Sequence, residues 1–179
     1  IKNLCFELDI KCIDIPNKHH KNENSPAKRC SDSMNFIKDY MIQNQARYLL
    51  LDSDMFLIND FTDQYKNYEA ALVYQKRWKT MIYPWNGIFY FNMPYLKNQD
   101  LLDWGCPWNG DVGMNNNKWL KDSYGINNNK IHKIKHLVSC NWDRNQYPSY
   151  LGKDLLVFLQ TDPRNKNKKF FCEIYDDLF

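Results

Sequence analysis

Three runs of consecutive apolar residues stand out between the polar stretches of the chain. They are residues 47–51 (RYLLL), 70–74 (AALVY) and 87–91 (GIFYF). Apolar runs of this length, rich in branched and aromatic residues, predict β-strands. In residues 47–51 the apolar positions do not alternate with polar ones, which is typical of a strand buried on both faces in a parallel sheet.

Between residues 33 and 45 the spacing changes to that of a helix. Met34, Ile37, Met41 and Ile42 fall on one face of a 3.6-residue period. Because helical and strand patterns alternate along the chain, we predict an α/β fold. Weaker patterns predict a helix end at 2–9, strands at 11–15, 131–138 and 155–160, helical segments at 96–104 and 117–122, and a polar loop at 17–27.

The overall composition is that of a globular protein. The 179 residues fit a single domain, 1–179, and 44% of them are hydrophobic while 25% are charged. The net charge of +3 is small, so we expect no nucleic-acid partner. No run approaches the ~20 apolar residues that a membrane span needs, so we also expect no membrane-spanning segment.

The six cysteines are scattered and form no CxxC pair. This favours free thiols in a reducing compartment, and we therefore predict a cytoplasmic protein in which no two cysteines lie within bonding distance. An even number of cysteines leaves a disulfide framework open. They are Cys5, Cys12, Cys30, Cys106, Cys140 and Cys172.

Two carboxylates follow the first apolar run directly. Asp52 and Asp54 are separated by one residue, so in an extended chain their side chains point to the same side. Ligands of open α/β sheets bind at the carboxyl ends of the strands. Because two converging carboxylates repel each other unless a cation joins them, the pair predicts a site for Mg²⁺ or Mn²⁺. A polar turn that ends the strand remains the alternative.

The stretch YLLLDSDMF resembles the Asp-x-Asp signature of glycosyltransferases with the GT-A fold, which use nucleotide-diphosphate sugars. The resemblance implies that Asp52 and Asp54 hold Mn²⁺ or Mg²⁺ on the diphosphate of the donor. It also implies a mostly parallel, Rossmann-related sheet flanked by helices. Lys28 and Arg29 lie just ahead of the predicted helix, where many members keep a residue close to the nucleotide sugar.

A second stretch, WNGIFYFN, resembles the strand opening of glycogenin-like and related transferases. The resemblance implies that Asn86 bonds hydroxyls of the donor sugar and that Gly87 lets the backbone approach it. Glycine permits such an approach because it has no Cβ. The same Asn-Gly pair also predicts a turn that leads into a strand.

Two later residues extend the resemblance. Asp111 falls where related enzymes keep an acid that contacts the acceptor or acts as its base. A carboxylate is suited to removing the proton of an attacking sugar hydroxyl. His136 falls where several of these enzymes supply a third metal ligand, and His132 is its competitor. An aspartate in a glycine-flanked turn and an ordinary surface histidine are the plain alternatives.

Together these matches, which span residues 8–142, imply a metal-dependent glycosyltransferase. The donor would be a UDP- or GDP-sugar, and the acceptor a hydroxyl of a glycan, a protein or a lipid. The family opens with a strand that has no counterpart here, so we expect an N-terminal strand to be missing ahead of Ile1.

Two other functions stay open. A catalytically degenerate domain of the same kind would bind a sugar nucleotide or a glycan without transferring the sugar. A haloacid-dehalogenase-like phosphatase also carries Asp-x-Asp after a buried strand, with the first aspartate as nucleophile. That pattern calls for Thr or Val where this chain has Phe56.

Overall fold

The computed structural model describes residues 2–16, 25–52, 55–57, 62–77, 81–107, 110–125, 128–134 and 158–160. Its elements, in chain order, are α1 (Lys2–Glu7), α2 (Pro26–Gln43), β1 (Arg47–Leu51), β2 (Met55–Leu57), α3 (Thr62–Tyr65), β3 (Ala70–Arg77), β4 (Met81–Asn92), two 3₁₀ turns (Met93–Tyr95 and Gln99–Leu101), α4 (Asn116–Ser123), β5 (Ile131–Lys133) and β6 (Phe158–Gln160).

Four of the strands form one sheet in the order β1-β4-β3-β5. β4 is antiparallel to both β1 and β3, and only β3 and β5 pair in parallel. β2 and β6 form a separate antiparallel pair. The described residues therefore form a mixed, mostly antiparallel sheet with few helices.

The predicted mostly parallel, GT-A-like sheet flanked by helices is therefore wrong. The predicted strands 70–74 and 87–91 extend towards each other, so that only residues 78–80 separate β3 from β4. A parallel pair needs a crossover of about a dozen residues or more, whereas an antiparallel hairpin needs only a short loop. The short connection forces the antiparallel arrangement.

Helix α2 begins at Pro26, earlier than the apolar spacing predicted. Ser25 is extended (φ −81°, ψ 111°), its hydroxyl accepts from the Lys28 amide at 3.5 Å, and Pro26 occupies the first turn. A serine cap followed by proline is a standard helix start. The capping signal of Ser25 and Pro26 thus determined where the helix begins. The apolar spacing marked only the buried part of the helix.

Two further element predictions fail. Residues 10–16, which include the predicted strand 11–15, have no regular structure. In place of the predicted helix 96–104 there is only the 3₁₀ turn Gln99–Leu101, and Asn98 just before it is in the left-handed region at φ 48°. A residue in that conformation interrupts the hydrogen-bond ladder of a helix.

The sheet buries apolar side chains on both faces, as strand alternation requires. The front face, defined by Leu72, Phe89 and Phe91, is covered by α2 and α4. The back face carries Val73 and Tyr90, with other residues packed around them. The helices thus cover the front face, and the amino end of α2 lies on that side.

Candidate functional site

A large bulge in β4 interrupts its pairing with β3. Leu72 pairs with Phe89 and Tyr74 pairs with Pro84, so Val73 alone faces the four residues 85–88 of β4. Bulges bend a strand and turn its side chains to new directions. The WNG stretch therefore lies in this bulge, inside a strand, and the turn predicted as its alternative is wrong.

Asp52 lies directly beside the bulge. Its amide donates to the carbonyl of Gly87 at 2.7 Å, which continues the β1–β4 ladder by one residue. Tyr48 and Leu50 of β1 pack towards the front face, and alternation places the Asp52 side chain on the same side. The carboxyl end of β1 and the bulge of β4 thus meet at one edge of the front face.

The amino end of α2 reaches the same place. Cys30 packs partly against the front-face core, and the Asn86 side chain donates from Nδ2 to its sulfur at 3.6 Å. Asn86 is half-buried, as is Cys30. This contact joins the first turns of α2 to the bulge.

A turn that contains Asp111 completes the arrangement. The Asp111 carboxylate accepts from the Val112 amide at 2.8 Å, and the Asp111 carbonyl accepts from the Met114 amide at 3.2 Å. Gly113 is left-handed (φ 84°), and a Cβ there would lie 2.9 Å from the Pro84 carbonyl oxygen. The turn therefore needs glycine to pack closely on β4 just before the bulge.

The pKa of the Cys30 thiol responds to two carboxylates of this region. Burial raises the pKa of the Cys30 thiol, and the charges of Asp52 and Asp111, followed by the Cys106 thiol, raise it further. This agrees with the contacts that bring the end of β1 and the Asp111 turn to the bulge, namely the Asp52–Gly87 hydrogen bond and the packing of Gly113 on Pro84. We call Cys30, Asp52, Asn86, Gly87 and Asp111 the bulge site.

The other candidates that the structure describes have different surroundings. Lys28 is exposed and Arg29 half-buried in the first turns of α2, next to Cys30. The Trp85 ring lies so close to Gly87 that a Cβ added to the glycine would be 2.2 Å from a ring carbon. The missing Cβ therefore makes room for this ring, a role that differs from the predicted approach of a sugar.

His132, the competitor for the third metal ligand, lies elsewhere. It is on β5, two strands away from β4, and its ring packs between Tyr65 and Tyr68 at centroid distances of 5.3 and 5.0 Å. Tyr65 belongs to the back-face core. Asp54 and His136 fall outside the described residues, so their metal roles stay predictions.

Within the described ranges, no three His, Cys, Asp or Glu side chains are grouped closely enough to hold a metal ion. The same ranges contain no helix that is long and apolar enough to cross a membrane. The four cysteines in these ranges, Cys5, Cys12, Cys30 and Cys106, are free thiols, and the other two lie outside them.

Sequence reasoning missed Cys30 and the bulge. A glycine inside a strand pattern is a known signal of a bulge, so Gly87 was the available clue. Nothing in the sequence marked Cys30, because its position opposite Asn86 depends on how α2 packs on the sheet.

Comparisons with protein-family models, curated proteins and solved structures found no match for this chain.

The thiol of Cys30 provides a direct test of the bulge site. Asp111→Asn removes one negative charge, so the pKa of Cys30 should fall and its reactive thiolate should increase. We expect the rate of alkylation by iodoacetamide at pH 8, followed by mass spectrometry of the Cys30 peptide, to rise about two- to threefold.

Asp100→Asn is the matched control for this measurement. It removes the same charge from an exposed position on the second 3₁₀ turn and should leave the alkylation rate unchanged. Added salt should also raise the rate in the unmodified chain, because salt screens the carboxylates. An unchanged rate in Asp111→Asn would show that Asp111 does not belong to the site.

Proposed function

We propose that the chain is a metal-dependent glycosyltransferase. It moves a sugar from a nucleotide-diphosphate sugar, with UDP or GDP as the leaving group, to a hydroxyl of a glycan, protein or lipid acceptor. The proposal rests on the bulge site and on the resemblance of its two stretches. It does not require the parallel sheet, which the chain does not have.

One observation carries the proposal. Asp52, Asn86 and the Asp111 turn are separated by up to 59 positions (111 − 52), yet they meet at the bulge of β4: the Asp52 amide bonds to Gly87, Asn86 lies in the bulge, and Gly113 of the turn packs on Pro84. Turn aspartates and a strand asparagine without a shared role have no reason to collect at one edge of a sheet. Their gathering supports a common ligand.

The donor groups of the site suit a hard cation. Carboxylate oxygens are the ligands that Mg²⁺ and Mn²⁺ prefer, and Mg²⁺ often binds through one or two carboxylates together with substrate phosphates. The raised pKa of Cys30 keeps its thiol protonated near neutral pH, so it does not compete as a soft ligand. Asp52 and Asp54 would hold the ion, which would offset the charge on the leaving diphosphate.

The remaining residues have separate roles in the proposal. Lys28 and Arg29, together with the positive end of the α2 dipole, attract the phosphates of the donor. The Asn86 amide orients the sugar. The Asp111 carboxylate accepts the proton of the attacking hydroxyl.

A catalytically degenerate binding domain is the second candidate. It is favoured by the contact of the Asn86 amide with a thiol. A degenerate domain would bind a nucleotide sugar without transferring it.

Metal-dependent nucleotide binding tests the proposed role of Asp54 as a metal ligand. Calorimetric titration of the intact chain with UDP, and separately with GDP, should show binding only when Mn²⁺ is present. Asp54→Asn should weaken this binding about tenfold to a hundredfold, because it removes a metal ligand. The melting temperature should change little, since the carboxylate is proposed to bind the ion and not to pack in the core.

Asp100→Asn again serves as the control and should bind as the unmodified chain does. Equal affinity in Asp54→Asn would remove the metal role of Asp54. Slow, Mn²⁺-dependent hydrolysis of a UDP- or GDP-sugar would favour the transferase over the binding domain. Cleavage of a generic phosphate ester such as p-nitrophenyl phosphate would indicate the phosphatase instead.

A further inference from the structure

The first residues of the chain expose an unusual amount of apolar surface. Phe6 is 88% exposed, and helix α1 buries no residue at all. Single exposed apolar side chains are normal, but a concentration of them marks an interaction surface. Within the described ranges, five of the six exposed large apolar residues lie here, and the sixth is Tyr95; the five are Leu4, Phe6, Leu8, Ile10 and Ile13.

The apolar segment contacts helix α2, which packs on the sheet. The Lys11 ammonium donates to the Tyr40 hydroxyl at 3.1 Å and sits 5.3 Å from the centre of its ring. The Tyr40 ring packs edge-on against Tyr48 of β1 at 6.4 Å. One side chain of α2 thus links the segment to strand β1.

Strand β1 is an edge strand with an open side. It pairs with β4 alone in the described part of the chain. The Asp52 amide bonds to Gly87 and the Ala46 carbonyl accepts from Met93, so even-numbered residues direct their main chain towards β4. Odd-numbered residues, Arg47, Leu49 and Leu51, therefore direct their main-chain groups outward. Open apolar edges of this kind readily pair with another chain.

The apolar segment has the complementary feature. Residues 11–15 (KCIDI) have the composition of a strand, but in the structure they have no strand partner and make no main-chain hydrogen bond within the described ranges. Ile13 is exposed and Ile15 half-buried. Within the part of the chain that the structure describes, each copy thus carries a strand edge and a strand-like segment, neither of which has a strand partner on that side.

We propose that a second copy of this chain covers the surface. Residues 11–15 of each copy add to the open edge of β1 in the other, and the apolar side chains of residues 4–10 pack in the same contact. Main-chain pairing of this type is a general mode of recognition. Because each copy supplies what the other lacks, the contact is symmetric and closes as a dimer.

The size of the surface agrees with this partner. The five apolar side chains expose roughly 500 Å² of the about 800 Å² that each partner of a stable complex usually buries. The main-chain pairing supplies much of the rest.

Light scattering after gel filtration tests the proposal on the whole chain. We expect a mass near twice 21.6 kDa at about 100 µM protein. Ile13→Asp should shift the protein to a monomer while the fold is kept, since Ile13 is exposed. Leu49→Pro should do the same by removing an outward amide, a substitution that edge strands tolerate.

Mixing the two variants gives the sharpest result. Ile13→Asp keeps a working β1 edge and Leu49→Pro keeps a working segment, so a one-to-one mixture restores one of the two strand pairings and should form dimers, weaker than those of the unmodified chain, that neither variant forms alone. Tyr95→Ser is the control, because it removes an equally large exposed side chain elsewhere and should leave the dimer intact. A monomeric unmodified chain, or a dimeric Ile13→Asp, overturns the proposal. If Leu49→Pro does not fold, Ile13→Asp alone decides.

Discussion

Under the proposed transferase function, replacing Asp111 with asparagine is expected to lower the rate of sugar transfer about a hundredfold to ten-thousandfold. The amide keeps the size of the side chain and can still accept from the Val112 amide, so the turn should hold its shape. It cannot accept the proton of the attacking hydroxyl. The loss should therefore appear in kcat while the KM for the donor changes little.

The measurement is a radiolabelled or coupled transfer assay with the donor that calorimetry identifies. Calorimetric binding of the nucleotide with Mn²⁺ should stay within about twofold of the unmodified chain, which separates a catalytic effect from a lost site. Asp100→Asn should keep full activity. Equal turnover in Asp111→Asn would assign the base to another residue and leave Asp111 as part of the turn alone.

Replacing Trp104 with alanine is expected to destabilise the fold by about 3–5 kcal/mol. The Trp104 side chain is fully buried and stacks on Phe89 at a centroid distance of 4.7 Å. Its amide donates to the Asn35 side chain of α2 at 3.0 Å. The residue thus links α2 to the front face, and its removal leaves a large cavity between them.

Thermal unfolding followed by circular dichroism checks this prediction. In a chain of this size each kcal/mol shifts the melting temperature by about 2–4 °C, so the loss should be near 10 °C. Trp104→Phe should lose less, because it keeps an aromatic ring against Phe89 and removes an indole N–H that has no hydrogen-bond partner within the described ranges. Tyr95→Ala, at an exposed position, should change stability by no more than about 0.5 kcal/mol. A loss that small in Trp104→Ala would mean that other residues hold α2 on the sheet.

The strands that the sequence predicted well are those with the strongest apolar runs. β1 matches residues 47–51 as predicted, and β3 and β4 contain the predicted runs within longer strands. The extension of β3, Gln75 to Arg77, is polar and paired with the other strand of the hairpin. Pairing with a neighbour recruits polar residues that have no strand pattern of their own, so the apolar run underestimated β3.

The candidate site shows the same division. Asp52, Asn86, Gly87 and Asp111 were predicted from the local patterns and the resemblance, and the structure brings their segments together at the bulge of β4. The patterns did not predict the bulge, since it arises only when β3 pairs with β4 and leaves residues 85–88 opposite Val73. They could not place Cys30 either.

The sequence by itself determined the local features of this chain. The apolar runs specified where strands form, Ser25 and Pro26 specified where α2 begins, and the order of residues put carboxylates at the end of β1. These follow from side-chain volume, main-chain capping and strand alternation, which act between near neighbours. The tertiary structure decided the direction of the strands, the bulge and the meeting of the Asp52, Asn86 and Asp111 segments at that bulge, because each depends on which distant segments share one core.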